Sequence, residues 1–255
     1  MKFMNLKILS YNIHKGYDWK MQNYFLEDMK VLINSSQADV VFLQEVVGRN
    51  DIYKKKGLVD SQFEFLADTV WPHYTYAKNS LYDHGHHGNL ILSRYPIESW
   101  ENINLTTNNL EKRGLLVCKI RLPEPVNKNI YAACVHLDLF HSGRKLQYQM
   151  IKKKILSLDM LKDAPLVIAG DFNDWNKKST SVFEDELGMK EAYKETHGNF
   201  ARTFPAGFPM LSLDRIYVKN LDVVASHIFE RAIHQNHFSD HLPIFCEVKL
   251  QETSS

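Results

Sequence analysis

A single α/β domain is what the sequence predicts, on three observations. Apolar runs of strand length recur along the chain, each attached to a polar residue; the clearest is residues 166–169, bounded by Pro165 and Gly170. Between two such runs, residues 7–12 and 40–43, lies a stretch with helical spacing, the strand, helix, strand order of a right-handed crossover. The 255 residues, 44% of them hydrophobic, can bury a sizeable core, and no repeat, low-complexity linker or composition break marks a second domain.

Residues 7–12 alternate enough to form the first strand, followed by a loop with His14, Gly16 and Asp18. Phe25, Met29, Leu32 and Ile33 recur at helical spacing, which predicts a helix over 21–36 with one face covering a sheet. Residues 40–43 read as a buried strand leading to Glu45, and 46–61 as a polar loop whose Lys54-Lys55-Lys56 run is a solvated face. A short helix over 63–70 ends at Trp71-Pro72, and strands at 74–77 and 89–93 flank the segment DHGHHGN. Its His84, His86 and His87 lack the interval that puts two imidazoles on one helix face, so a flexible, solvated loop near the site mouth is expected rather than a metal centre. Strands follow at 97–105, 114–121 and 129–136, the last two a hairpin across LPEPVNK. The longest amphipathic pattern runs over 142–161, with Tyr148, Ile151, Ile155 and Leu158 on one stripe and Lys152, Lys153 and Lys154 outward. After the 166–169 strand come a short helix at 179–187, an aromatic, proline-containing loop at 199–211, and strands at 214–218, 221–227 and 242–250.

Charge and cysteine usage narrow the class. The net charge is +1, from 31 Lys and Arg against 30 Asp and Glu, so the strongly basic footprint of an obligate nucleic-acid binder is missing, although nucleic acid is not excluded as a substrate. Cys118, Cys134 and Cys246 lie in apolar runs without CxxC spacing and read as buried small hydrophobes of a reducing compartment. With no signal-peptide pattern at the N-terminus and no apolar run of membrane-span length, a soluble, cytoplasmic, monomeric protein without a partner protein is expected.

The chemistry sits at the strand ends. Asn12 ends KILSYN, Glu45 ends ADVVFLQE and His136 ends IYAACVH; Asp171 and Asn173 follow Gly170; Asp214 opens LDRIYV, and Ser239-Asp240-His241 opens HLPIFCEV. An acid after a strand is by itself an ordinary turn residue. Eight residues of acid, base or metal-ligand type, each attached to an apolar strand, point instead to one shared site. With no GxSxG and no P-loop, nothing suggests a covalent intermediate.

The motifs SYNIHKG (10–16), FLQEV (42–46), GNLILSRYPI (88–97), VHLDL (135–139), GDFND (170–174), LDRIYV (213–218) and SDHLPI (239–244) together resemble the endonuclease/exonuclease/phosphatase superfamily, with its DNase I-like fold. They occur in the family's order over nearly the whole chain; KRGLLV and RTFPAGFPMLSLDRIYV resemble most a bacterial subgroup of small hydrolases with poorly defined substrates. The resemblance implies a four-layer α/β/β/α sandwich of two mainly antiparallel sheets flanked by helices, hydrolysing phosphate esters with a divalent metal, usually Mg²⁺, with Mn²⁺ as a substitute. It implies that Glu45, Asn12 and Asp240 hold the metal, as suits hard oxygen donors. Asp171 would be the general base, with Asn173 helping to orient the attacking water; His136 and His241 would face the phosphate, and Asp214 would fix the His241 tautomer. Asn89, Arg113, His14 and Phe204 are the candidate substrate contacts.

Three of these stay open at the level of sequence. Where some members carry an acidic ligand two residues after the first-strand Asn, this chain has His14, which favours a single metal or a softer ion and could equally contact phosphate or fill the loop. Arg113 could bind a phosphate oxygen or be a surface arginine, and the 199–211 aromatics could floor a pocket or pack on their own sheet. The expected activity is a metal-dependent phosphodiesterase, with a phosphomonoesterase as the alternative in the same chemistry and a non-catalytic binding protein as the remote one.

Overall fold

Side-chain alternation along the strands sorts the apolar residues into three cores, and the three cores define four layers. Leu6, Ile8, Phe42, Leu116, Ile120 and Val167 point between two sheets. Their neighbours Leu9, Val41 and Leu43 point the other way, under a helix that offers Leu26, Met29 and Ile33. On the far sheet Leu115, Val135 and Ile168 pack outward against Tyr148, Ile151 and Ile155 of a second helix. The computed structural model describes residues 4–59, 61–67, 70–124, 126–157, 164–229 and 237–250.

The first sheet is built from β1 (Met4–Asn12), β2 (Val40–Asn50), β3 (His73–Tyr82) and β4 (Gly85–Ser93), together with β11 (Asp222–Ile228) and β12 (Ile244–Leu250), in the order β11-β12-β1-β2-β4-β3. The second holds β5 (Ile97–Asn104), β6 (Gly114–Arg121), β7 (Asn129–His136), β8 (Leu166–Asp171), β9 (Lys190–Glu191) and β10 (Asp214–Lys219), in the order β5-β6-β7-β8-β10-β9. Each sheet has one parallel pair at its centre, β1 with β2 and β7 with β8, and antiparallel pairing elsewhere. The parallel pairs require crossovers, which α1 (Leu26–Ser35) and α4 (His141–Ser157) supply. Asn12 and Asp171 end their strands in contact, so the C-terminal ends of both parallel pairs open on the same edge.

Several elements depart from the sequence expectation. α1 starts at Leu26 and not at 21: Asp18 accepts hydrogen bonds from the Gln22 amide and the Asn23 side chain, and Met21 has φ 56°, which together hold this stretch in a turn. The polar segment after Glu45 is not a loop; β2 runs on to Asn50 through irregularities in its pairing with β4, and α2 (Asp51–Lys55) follows, capped by Asn50 Oδ1. Its lysine run is exposed, as expected. The DHGHHGN segment is no flexible loop either: His86 and His87 belong to β4, hydrogen-bonded between β2 and β3. Glycine permits this approach, since a Cβ on Gly88 would lie 1.7 Å from the Ala77 carbonyl oxygen. The helix expected over 63–70 is α3 (Gln62–Leu66), with 68–69 outside the described residues; so are Pro125 of LPEPVNK and residues 158–161, Leu158 included, of the long helix. A π-helical turn (Ser181–Glu186) stands where a short helix was expected, while β9 and α5 (Ala192–His197) are too short to leave a periodic signal. All three cysteines are free and buried.

Gly170 fixes the turn into the site. It adopts φ +145°, and a Cβ there would meet the Val135 carbonyl oxygen at 2.0 Å. Gly170→Ala should therefore lower the unfolding free energy by more than about 2 kcal/mol in urea titration, well beyond a surface Gly→Ala change.

Candidate active site

The site is centred on one carboxylate oxygen. Asp171 ends β8, its Oδ1 accepting the Asn173 amide at 2.8 Å, while Asn173, at φ 49°, donates its side-chain NH₂ to the Leu137 carbonyl at 2.9 Å. This local turn aims Oδ2 into the gap between the sheets. There it accepts from Asn12 Nδ2 at 3.2 Å and lies 3.5 Å from His136 Nε2 and 3.6 Å from His241 Nε2. The other nitrogen of His241 bonds Asp214 Oδ2 at 2.9 Å, and the Thr203 hydroxyl donates to the same oxygen. Pairing of β10 with β8 sets Asp214 opposite Asp171, so the imidazole spans two carboxylates that the sheet register holds side by side.

Burial then sorts the protonation states. For Asp171, desolvation favours the neutral acid, the His241 charge opposes this and Asp214 adds to it, leaving the carboxyl raised to about 6. Desolvation disfavours the His241 cation, but Asp214 and then Asp171 outweigh it and raise that imidazole to about 10. His136 goes the opposite way, held well below its ordinary value by burial and by Arg113. Two imidazoles flanking one carboxylate thus carry opposite charge states near neutrality.

The remaining candidates surround this centre. Glu45 sits where the pairing of β2 with β4 is interrupted, with φ 58°, and its Oε2 meets Lys15 Nζ at 2.8 Å. Burial pushes its carboxyl up, yet Lys15 and His136 hold it below the usual carboxylate range. Glu45, Asn89, Arg113 and His136 line one small cavity, together with His87. Asn89 donates its side-chain NH₂ to the carbonyls of Gly114 and Cys134, a strut between the two sheets. Arg113 bonds Glu111 at 2.9 Å through Nη2, and its buried Nε has no protein partner. Asp240 takes a hydrogen bond from Ser239 Oγ at 3.3 Å and lies 3.8 Å from His14 Nδ1, while the His14 amide donates to Asn12 Oδ1. The Phe204 ring lies 5.0 Å from the His241 ring. Lys15, Thr203 and His87 belong to the same surroundings and were not singled out from sequence as site residues. Lys15 and Thr203 are isolated residues of common types, and the strand that places His87 was hidden by its polar composition.

The donor set fits a hard divalent cation. Asn12 Oδ1, Glu45 and Asp240 are oxygen donors, and Glu45, a half-buried carboxylate, already faces a cation in Lys15. The cluster of Asp171, Asp214 and His241, whose ligand atoms lie within 4.8 Å of one another, suits a proton better, because both imidazole nitrogens are directed at carboxylates.

Comparison with known proteins agrees with this architecture. The endonuclease/exonuclease/phosphatase family model matches residues 9–241. The Escherichia coli K12 protein YbhP is 39% identical over 249 residues, 96% of this chain and 97% of its own. An endonuclease/exonuclease/phosphatase structure from Bacteroides vulgatus superposes with TM-score 0.76 at 20% identity, covering 97% of this chain and 100% of that one. The mannosyl-6-phosphatase Bt3783 of Bacteroides thetaiotaomicron superposes with TM-score 0.71 at 17% identity, covering 95% of this chain and 99% of its own.

If Asp214 holds the His241 charge, Asp214→Asn should return that imidazole toward its ordinary range. By NMR, the His241 ring protons of the wild type should not titrate between about pH 5 and 8, whereas those of the variant should. Unchanged titration would mean that Asp214 does not set this charge.

Proposed function

The chain belongs to the endonuclease/exonuclease/phosphatase family, hydrolases of phosphate esters, and from that premise we propose that it is a divalent-metal-dependent phosphodiesterase that cleaves by in-line attack of water. The observation that carries the reading is the Asp171 carboxylate standing between a cationic and a neutral imidazole. Phosphoryl transfer needs little covalent help from a protein; it needs a positioned nucleophile and fixed charge around the phosphoryl oxygens.

In this reading Asp171 accepts a proton from the attacking water as the new O–P bond forms and the ester P–O bond breaks, the departing oxygen leaving with the bonding pair and taking a proton from solvent. Asn173 holds that carboxylate through its backbone amide and, by its bond to Leu137, keeps the turn rigid. His241, doubly protonated, gives Nε2–H to a phosphoryl oxygen that gains charge, and neutral His136 gives a second N–H. Asn12, Glu45 and Asp240 would hold Mg²⁺, or Mn²⁺ in its place, which when bound neutralises phosphate charge. Arg113, with its free Nε, Asn89 and His14 are the polar substrate contacts, and Phe204 backs the His241 ring. A phosphomonoesterase is favoured by one feature, the cavity beside Glu45 where Lys112 and Arg113 supply charge for a dianionic phosphate.

Turnover of bis(p-nitrophenyl) phosphate and of p-nitrophenyl phosphate, each with Mg²⁺ and with EDTA, separates these readings. Diester turnover should depend on metal, and Asp171→Asn should lower kcat by about 10²–10⁴. Turnover of the monoester alone would select the phosphatase, and an unaffected variant would remove Asp171 as base. The pH dependence follows from the same groups. Asp171 must be ionised, so kcat rises as pH passes about 6, and His241 must be charged, so kcat falls as pH approaches about 10.

A further inference from the structure

The exposed apolar residues of this chain are not spread evenly. At the site edge, Trp19 follows β1, Phe140 follows β7 and Trp175 follows β8, while Leu110 lies on the β5–β6 connection and Phe208 and Met210 on the hairpin before β10. Leu110 is 84% exposed, Phe208 72% and Trp19 62%. The connections at the opposite edge, residues 36–39, 94–96, 122–124, 126–128 and 219–221, carry no exposed large hydrophobic among the described residues. Single exposed hydrophobics on helix and strand faces, such as Val31, Trp100 and Leu156, need no explanation; a set gathered on the loops at the rim of a reaction centre marks a binding face.

Contacts tie this rim to the site. The hairpin closes between Phe204 and Leu211, and Phe204 packs on His241, so its apolar tip is rooted on the catalytic imidazole. Trp175 lies against Arg144 at 4.4 Å, and Arg144 in turn holds the Asp138 and Leu139 carbonyls beside Phe140. The Glu111 carboxylate accepts from the Leu139 amide and from Arg113, joining the Leu110 segment to the same side.

Each of three apolar tips has a lysine beside it. Lys20 Nζ lies 5.0 Å over the Trp19 ring, and exposed Lys112 and Lys177 each follow two residues after Leu110 and Trp175. Apolar side chains flanked by long cationic ones match the boundary between acyl chains and anionic headgroups, where the ring enters and the ammonium stays at the phosphates. A polynucleotide is served by an excess of cations, and a chain with 31 basic and 30 acidic residues has almost none overall.

We propose that this edge docks on an anionic lipid bilayer and that the phosphate ester cleaved there is that of a phospholipid. The claim rests on the phosphoesterase reading above and adds the substrate class to it. The test is sedimentation of the full chain, with Mg²⁺, on vesicles of phosphatidylethanolamine and phosphatidylglycerol, with phosphatidylcholine vesicles for comparison. Tryptophan emission and release of organic phosphate are followed on the same samples. Wild type should pellet with the anionic vesicles, shift its emission to the blue and release phosphate ester. Trp19→Ser/Phe140→Ser/Phe208→Ser, with its thermal midpoint checked, should lose vesicle binding by about tenfold. Wild type that turns over bis(p-nitrophenyl) phosphate but stays in the supernatant, or binds a single-stranded oligonucleotide instead, overturns the lipid claim and leaves the phosphoesterase standing. A triple variant that pellets like wild type also overturns it. Vesicle binding by a protein that hydrolyses neither these lipids nor a soluble phosphate ester overturns the phosphoesterase reading and the substrate class together.

Discussion

Everything at the reaction centre depends on keeping a buried carboxylate charged and aimed. Asp171 is almost without solvent, and burial alone would protonate it. Its charge is made tolerable by the imidazolium of His241, whose own charge is held by Asp214, which the Thr203 hydroxyl bonds in turn. Such a chain works only when every member is present, because each group removed leaves the next one unpaired in a medium of low dielectric. The second imidazole, His136, is left neutral by burial first and by the nearby Arg113.

This arrangement explains why the fold has two facing sheets. Asp171, His136 and Asp214 come from the second sheet, and Asn12 and Glu45 from the first. Asp240 and His241 arrive on the segment leading into β12 of the first sheet, so neither sheet alone carries the whole centre. The apolar layer between them, from Leu6 to Val248, holds the separation, and Asn89 fixes their relative position through two carbonyls of the opposite sheet. Irregular backbone serves the rim: the left-handed residues His14, Glu45 and Asn173 all re-aim a chain end toward the centre.

Much of this was legible in the sequence, for a physical reason. Strands buried on both faces are apolar runs punctuated by Gly or Pro, so β6, β7 and β8 could be bounded closely, and the residue that ends such a run stands at the site edge. The unread parts broke that relation. Around Glu45, β2 loses its regular pairing with β4 and with it the period of two, and β4 begins with a polar, histidine-rich stretch because part of it lines a cavity instead of packing in a core. Thr203 and Lys15 gave no spacing to read, since their partners Asp214 and Glu45 lie on other segments. Charge states were equally hidden, because a His is cationic or neutral according to which side chains the fold brings to it.

The pairing of β1 with β12, Met4 opposite Leu250, has a consequence for the protein's birth. β1 waits for β12 before that side of the sheet can close, a long-range contact of the kind that slows folding. Asp240 and His241 arrive only with that final stretch, so a nascent or truncated chain carries Asp171 without its counter-charge. Such a fragment holds a buried carboxylate with no imidazolium beside it, and the charge arrangement around Asp171 is complete only once the segment leading into β12 is in place.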